Sequence, residues 1–319
     1  MPPVDITETD VSSLFQPYTE RRICIGLGPR LYEIRLAAEA ERVRRVFQGF
    51  ARLAGDLAAS GRKPSSFAMI GAGSGVEAIG AAHIFTTLRH ITITDRDPAI
   101  LAQAAANLAG NVPPRIGLQA VGGHIHAPLA AASGRRVDIL YANFANVPFS
   151  DSPEAVIDRR SYCPRIAGTA HDDLLNRCQL AAPWRLLSAA RTVLNPGGFA
   201  LVLLGGRFDF SVFERLADAA HVRFEEIICG LKRQIDGDNV LSGYAAAETP
   251  GQTFDFYDFD RARRGLRGQD PRPGPVLAAV LAPWRLSACE ALRSFRAGAS
   301  IGHTYHLLQA TPQANWGEL

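Results

Sequence analysis

The sequence predicts an α/β protein built on a doubly wound, mainly parallel sheet, and three observations carry that prediction. An apolar run, Phe67-Ala68-Met69-Ile70, breaks into Gly71-Ala72-Gly73-Ser74-Gly75 and is followed by a helix-compatible segment. Twenty positions past Gly75, a β-type run from His90 to Thr94 ends in Asp95. Further on, the turn Asn195-Pro196-Gly197-Gly198 opens a second buried-type run from Phe199 to Leu204. Strand, glycine turn, helix and a strand ending in a carboxylate form the arrangement that receives a nucleotide-type cofactor. The glycines let the backbone approach a ligand without Cβ clashes. Asp95 suits a ribose diol, both of whose hydroxyls can donate to it.

The elements follow in order. Residues 1–16 read as a polar, weakly ordered lead-in. From Pro29 to Ser60 apolar side chains recur at three-to-four spacing (Leu31, Ile34, Val43, Val46, Phe47, Phe50, Leu53, Leu57), which predicts an amphipathic helix. Strands are expected near 67–71, 90–95, 116–121, 137–142, 198–204, 223–232 and 239–247, with helices at 76–85, 98–109 and 172–193. Residues 235–239, Ile-Asp-Gly-Asp-Asn, read as the tip of a hairpin joining the last two strands. Past Thr249 come an aromatic stretch and a segment rich in Arg, Gly and Pro from Arg261 to Pro275, which resembles a linker. A helix over 276–296 and a strand-like piece over 303–308 close the chain. The expected organisation is therefore an N-terminal helical cap (1–62), a cofactor-binding domain (63–250) and a small C-terminal extension (251–319).

Gly71-x-Gly73-x-Gly75 lacks the sixth-position glycine of a dinucleotide fingerprint, where Val76 stands. Together with Asp95-x-Asp97-Pro98-x-x-Leu101-x-x-Ala104-x-x-Asn107, it resembles the first motifs of class I S-adenosylmethionine-dependent methyltransferases. That resemblance implies a Rossmann-like sheet of seven strands with an antiparallel last strand, and S-adenosyl-L-methionine as cofactor. It assigns cofactor contacts to Gly71, Gly73, Gly75, Asp95 and Asp97, and to Gly123 and His124 after the third strand. Two departures stand out. The family carries an acidic residue two positions before the first glycine, where this chain has Met69. It often has another after the third strand, where this chain has Gly122-Gly123-His124.

The fourth strand ends in Asn143-Phe144-Ala145-Asn146-Val147-Pro148-Phe149. This resembles the Asn-Pro-Pro-Tyr loop of the glutamine-amide and adenine N-methyltransferases, and implies catalytic roles for Asn143, Asn146, Pro148 and Phe149, with Asn143 also near the cofactor. Two alignments stay open. Asp138 to Asn143 reproduces the family's spacing, whereas Asn146 to Phe149 reproduces its residue types. An ordinary strand-end loop, with Asn capping a turn and Pro stopping the strand, is the plain alternative. The long polar segment that follows offers Tyr162, Arg165 and His171 as substrate contacts, while Asp172 reads foremost as a helix N-cap. Tyr18, Arg21 and Arg22 are candidates for a lid over the cofactor, where an arginine could grip a substrate carboxylate.

Composition bounds the rest. Thirty-four basic against 31 acidic side chains leave +3, too balanced to imply nucleic-acid binding. Five scattered cysteines with no metal-type spacing point to buried free thiols, and His303 and His306 to an edge strand rather than a metal. No apolar run reaches membrane-span length and the acidic N-terminus lacks a leader's pattern, so a cytoplasmic location is expected. The expected activity is methyl transfer to a small polar or amino-acid-like substrate at nitrogen, in a biosynthetic setting, with a homodimer allowed for. Transfer to carbon, oxygen or sulfur is the alternative. Val76 disfavours a dinucleotide oxidoreductase, and the Asn143 to Phe149 loop disfavours a non-catalytic cofactor-binding subunit.

Overall fold

The structure is a computed structural model that describes residues 6–28, 37–123, 136–143, 172–235, 237–266 and 273–313. Two units emerge, Met1–Asn143 with Ala189–Leu201, and Phe144–Ser188 with Val202–Leu319. The first begins with a strand pair where a weakly ordered lead-in is expected. Strand β1 (Thr7–Asp10) lies antiparallel to β2 (Cys24–Leu27), with a helical turn, Ser12–Phe15, between them. What orders this segment is burial: Leu14, Phe15, Ile23 and Ile25 are all at most 3% exposed.

The amphipathic helix runs over Ala37–Ala59 and buries Val43, Val46, Phe47, Phe50, Leu53 and Leu57, the face its periodicity predicts. Phe50 meets Phe67 at 6.3 Å and Tyr141 at 5.4 Å between ring centroids. Each phenyl ring fully removed from water contributes about 2–3 kcal/mol. This helix is therefore part of the first unit's core.

Strands β3 (Ser66–Ile70), β4 (His90–Asp95), β5 (Gly117–Gly122), β6 (Val137–Asn143) and the first part of β7 (Leu194–Gly206) make the unit's sheet in the order β7-β6-β3-β4-β5. Pairing is parallel between β6 and β3, β3 and β4, and β4 and β5. Chain order runs one way from β3 to β5 and the other way from β6, so the direction reverses between β3 and β6. Asp138 ties strand starts together: its carboxylate accepts from the Ser65 and Ser66 backbone N–H groups at 2.7 and 3.0 Å and from Asn195 Nδ2 at 2.6 Å. Burial alone would raise this carboxyl, but the Asn195, Ser65 and Ser66 donors outweigh it and hold it below its ordinary range.

In the second unit, β8 (Val222–Arg233), β9 (Phe256–Asp258), β10 (Arg285–Leu286) and β11 (Ile301–Pro312) correct the sequence reading at several points. Residues 237–247, expected as the last strand, form a helix. Val240, Leu241 and Tyr244 fall on one helical face and bury against Phe254, Phe256, Ala288 and Ala291, so packing selects the helical period over the alternating one. Gly237, Asp238 and Asn239 thus open this helix instead of tipping a hairpin. The antiparallel partner of β8 is β11, from Gly302 opposite Arg233 to Pro312 opposite Val222. Among the described residues the sheet strands number nine, β3 to β11, where seven are expected. The helix expected over 172–193 is three, Asp173–Arg177, Ala181–Ser188 and Ala190–Val193; Gln179 at φ +59° interrupts it. That over 276–296 divides into Gly274–Leu281, a short turn, β10, and Ala288–Arg296, whose start is fixed by the Ser287–Glu290 capping box.

His303 and His306 lie on a strand paired to both β8 and β9, not on an edge, and are at most 4% exposed. Cys178 and Cys229 are buried as expected, but Cys24 is half-buried and Cys289 exposed; Cys163 lies outside the described residues. Among the described residues no helix is long and apolar enough to cross a membrane.

Candidate active site

The parallel register lines up one row of residues at the strand ends of the first unit. Ala142, Ile70, Thr94 and Val121 are successive partners across β6, β3, β4 and β5. One residue further along each strand stand Asn143, Gly71, Asp95 and Gly122. The four residue types that the sequence singles out at separate motifs thus meet in one line, beside the reversal of chain direction where open α/β sheets receive ligands.

Local geometry explains the glycines. Gly71, Gly73 and Gly75 have φ of +74°, +50° and +82°, a region in which a Cβ is strained. The turn is anchored by Gly71 and Ala72 N–H groups that both donate to the Thr94 carbonyl at 2.9 Å. A Cβ on Gly71 or Gly73 would meet nothing within 4 Å among the described residues, so these two present bare backbone on an open side. Gly75 faces inward: a Cβ there would stand 2.4 Å from Leu108 Cδ1 and 3.3 Å from the Ala104 carbonyl oxygen. It lets the helix Pro98–Asn111 pack tightly under the turn, and it precedes the helix Val76–Ile84.

Asp95 is half-buried, and its Oδ1 accepts the Asp97 N–H at 2.9 Å. Its other oxygen has no protein donor among the described residues. Gly123 follows directly, its N–H donating to the Asp95 carbonyl at 3.0 Å. Asp97 is differently employed, as the N-cap that accepts from Ala99 and Ile100 N–H groups at 2.9 and 3.4 Å. His124, Asn146, Pro148, Phe149, Tyr162, Arg165 and His171 lie outside the described residues. Asp172 caps the helix Asp173–Arg177 and pairs with Arg215, which supports the N-cap reading.

Tyr18, Arg21 and Arg22 are not brought to this row. Tyr18 stands edge-on to Phe47 with centroids 6.2 Å apart, and Arg22 pairs with Asp10 at 3.0 Å. Arg21 donates to the carbonyl of Val112 at 3.5 Å, just past the end of the helix that Asp97 begins. Fourteen residues at 1.5 Å rise separate those ends by about 20 Å. Arg21 therefore stands at the end of that helix remote from Asp95.

Sequence reasoning met Asn107 only as the last residue of a motif, with no role given to it, and passed over Asn111. Asn107 Oδ1 accepts the Gly26 N–H at 2.8 Å, while Nδ2 donates to the Gly26 carbonyl at 3.0 Å and the Ser74 carbonyl at 2.9 Å. Four residues on, Asn111 treats Cys24 likewise, accepting at 3.2 Å and donating at 2.7 Å. In an antiparallel pair one edge of β2 is bonded to β1, and alternate residues present N–H and C=O on the other edge. Two side-chain amides supply the ladder that this edge lacks, and one of them also pins the glycine turn. Two asparagines four apart on an otherwise apolar helix were the available signal.

The second unit holds a separate polar group. Glu226, Cys229 and His306 lie close enough together to be examined as metal ligands. Their bonds to protein give a fuller account: His306 Nδ1 meets Glu226 Oε1 at 2.6 Å, and Gly274 N–H donates to Glu226 Oε2 at 2.5 Å. Thr304 spends its one hydroxyl proton on the Gly206 carbonyl at 2.8 Å, so His306 Nε2, 3.0 Å away, donates to it. Both ring nitrogens of His306 are thus taken up by protein groups. His303 differs: its Nε2 accepts from Arg207 at 2.9 Å, and burial, then Arg207, pushes its pKa well below the ordinary value, which leaves it neutral.

No family model and no curated protein matches the chain. Solved structures with a partial likeness include the YcgJ protein from Bacillus subtilis, 10% identical at a TM-score of 0.45 over 84% of this chain and 99% of that one. A candidate methyltransferase from Bacillus halodurans is 14% identical at 0.43 over 82% and 99%. Precorrin-6y C5,15-methyltransferase from Geobacter metallireducens is 12% identical at 0.37 over 89% and 93%. Likenesses at this level bear on neither substrate nor chemistry, which rest on the residues themselves.

Proposed function

We propose that this chain is an S-adenosylmethionine-dependent methyltransferase acting at nitrogen on a small polar or amino-acid-like substrate. The observation that carries the reading is the single row Asn143, Gly71, Asp95, Gly122 at the ends of four adjacent parallel strands. The residues fit the cofactor by their donor chemistry. Positive-φ glycines bare the backbone on the open side, and Asp95 keeps one carboxylate oxygen for the ribose hydroxyls. Bound there, S-adenosylmethionine supplies an electrophilic methyl group on a sulfonium.

The chain's own task is then to orient an acceptor. A side-chain amide oxygen on Asn143 or Asn146 accepts a hydrogen bond from the acceptor's NH2 and so aims its lone pair. Pro148 and Phe149 pack the acceptor's plane, and Tyr162 and His171 belong to the same substrate wall. The bound cofactor would supply the methyl group and retain a neutral sulfur, and the acceptor nitrogen held by the asparagine would pass its proton to solvent. Positioning contributes most of the rate in such a transfer, since the leaving group needs no proton. The division between cofactor domain, helical cap and C-terminal extension, and a homodimeric state, belong to the same proposal.

The test pairs methyl-labelled S-adenosylmethionine with a panel of amide, amine, hydroxyl and thiol acceptors. Label is expected in a nitrogen acceptor. With that acceptor, alanine at the orienting asparagine should lower kcat by about 10²-fold or more while cofactor titrations stay nearly unchanged. Full activity in both Asn143→Ala and Asn146→Ala would remove the amino-acceptor assignment and favour carbon, oxygen or sulfur.

A further inference from the structure

Met69 stands where the family that the motifs resemble carries an acidic residue, yet ionisable groups are buried close by. Across the sheet, the registered partner of Met69 on β6 is Tyr141. Its ring is fully buried between Phe50 and Phe67, and among the described residues its hydroxyl lacks a well-formed hydrogen bond, with the Arg42 side chain beside it. An unpaired buried hydroxyl costs about 1–3 kcal/mol, so it marks a place where a partner is expected. Beside it lies Glu77, in the first turn of the helix that the glycine turn opens, with a side chain 9% exposed. Glu77 Oε1 pairs with Arg42 at 3.1 Å, and Arg42 pairs in turn with Glu39 at 2.8 Å. Glu77 Oε2 has no donor among the described residues. Burial first, and the Glu77 charge second, push the Tyr141 phenol well above its ordinary pKa, so it is present as a hydroxyl donor.

We infer that Glu77 and Tyr141 hold the amino-acid end of the cofactor, taking over the role for which Met69 is unsuited. The open Glu77 oxygen accepts from the ammonium, and the Tyr141 hydroxyl donates to the carboxylate. Arg42 is a positioning residue that holds Glu77 in place. The assignment rests on the cofactor reading above, and the following experiment separates the two.

Full-length wild type and Tyr141→Phe are titrated calorimetrically with S-adenosylhomocysteine, which carries the amino-acid end, and with 5′-methylthioadenosine, which lacks it. Tyr141→Phe should bind S-adenosylhomocysteine about tenfold more weakly, with 5′-methylthioadenosine affinity unchanged within about twofold. Because the phenylalanine removes only a hydroxyl without a well-formed hydrogen bond, the ligand-free variant should melt at or above the wild-type Tm. Wild-type S-adenosylhomocysteine affinity in Tyr141→Phe, or an equal loss for both ligands, overturns the assignment and leaves the cofactor reading standing. A wild type that binds neither ligand overturns both.

Discussion

Asn107→Ala is expected to destabilise the protein by about 3 kcal/mol or more. The side chain is 5% exposed and joins three backbone groups, the Gly26 N–H, the Gly26 carbonyl and the Ser74 carbonyl. Truncation strands all three, and each buried group left without a partner costs roughly 1–3 kcal/mol, less where water reaches it. The loss is not local. Gly26 sits on β2 and Ser74 in the glycine turn, so the substitution releases the N-terminal strand pair and loosens the turn together. Denaturant unfolding of the variant measures the first effect, and a weakened ligand titration the second. A loss under about 1 kcal/mol would show that Asn111 alone holds β2.

Asp95→Ala should weaken binding of the cofactor product by about 10²-fold. Two hydroxyls donating to one carboxylate form charge-assisted bonds worth roughly 1.5–3 kcal/mol each, partly recovered by water in the variant. The fold should survive, since among the described residues the Asp95 side chain accepts only the Asp97 N–H, and Asp97 still caps its helix. Calorimetry on the folded variant gives the number. Unchanged affinity would move the ribose contact away from the end of β4.

What was legible in the sequence was local chemistry with a strong periodic or turn signal. The Phe67 to Asp95 unit, the helix from Pro98 and the strand ending in Asn143 each carry turn or helix-start residues whose physics is short-range, and each appears within a residue or two of expectation. What failed depended on distant packing. Residues 239–247 have enough apolar character for either period, and only Phe254, Phe256 and Ala291, remote in sequence, decide for the helix. The partner of β8 lies about seventy residues away, past a segment that reads as a linker. At the site, Gly71, Asp95 and Asn143 announced themselves through their motifs. Glu77 and Tyr141 did not, because an acid inside a small-residue helix and a tyrosine inside a strand gain meaning only from what the fold sets against them.

The central claim is that the row at the strand ends receives a sulfonium nucleoside and not a dinucleotide. Isothermal titration of the full-length protein with S-adenosylmethionine, S-adenosylhomocysteine and NAD tests it directly. Saturable binding of the first two at one equivalent per chain, with no heat from NAD, is the expected result. Saturable NAD binding with no response to either sulfur ligand would contradict the account at its base.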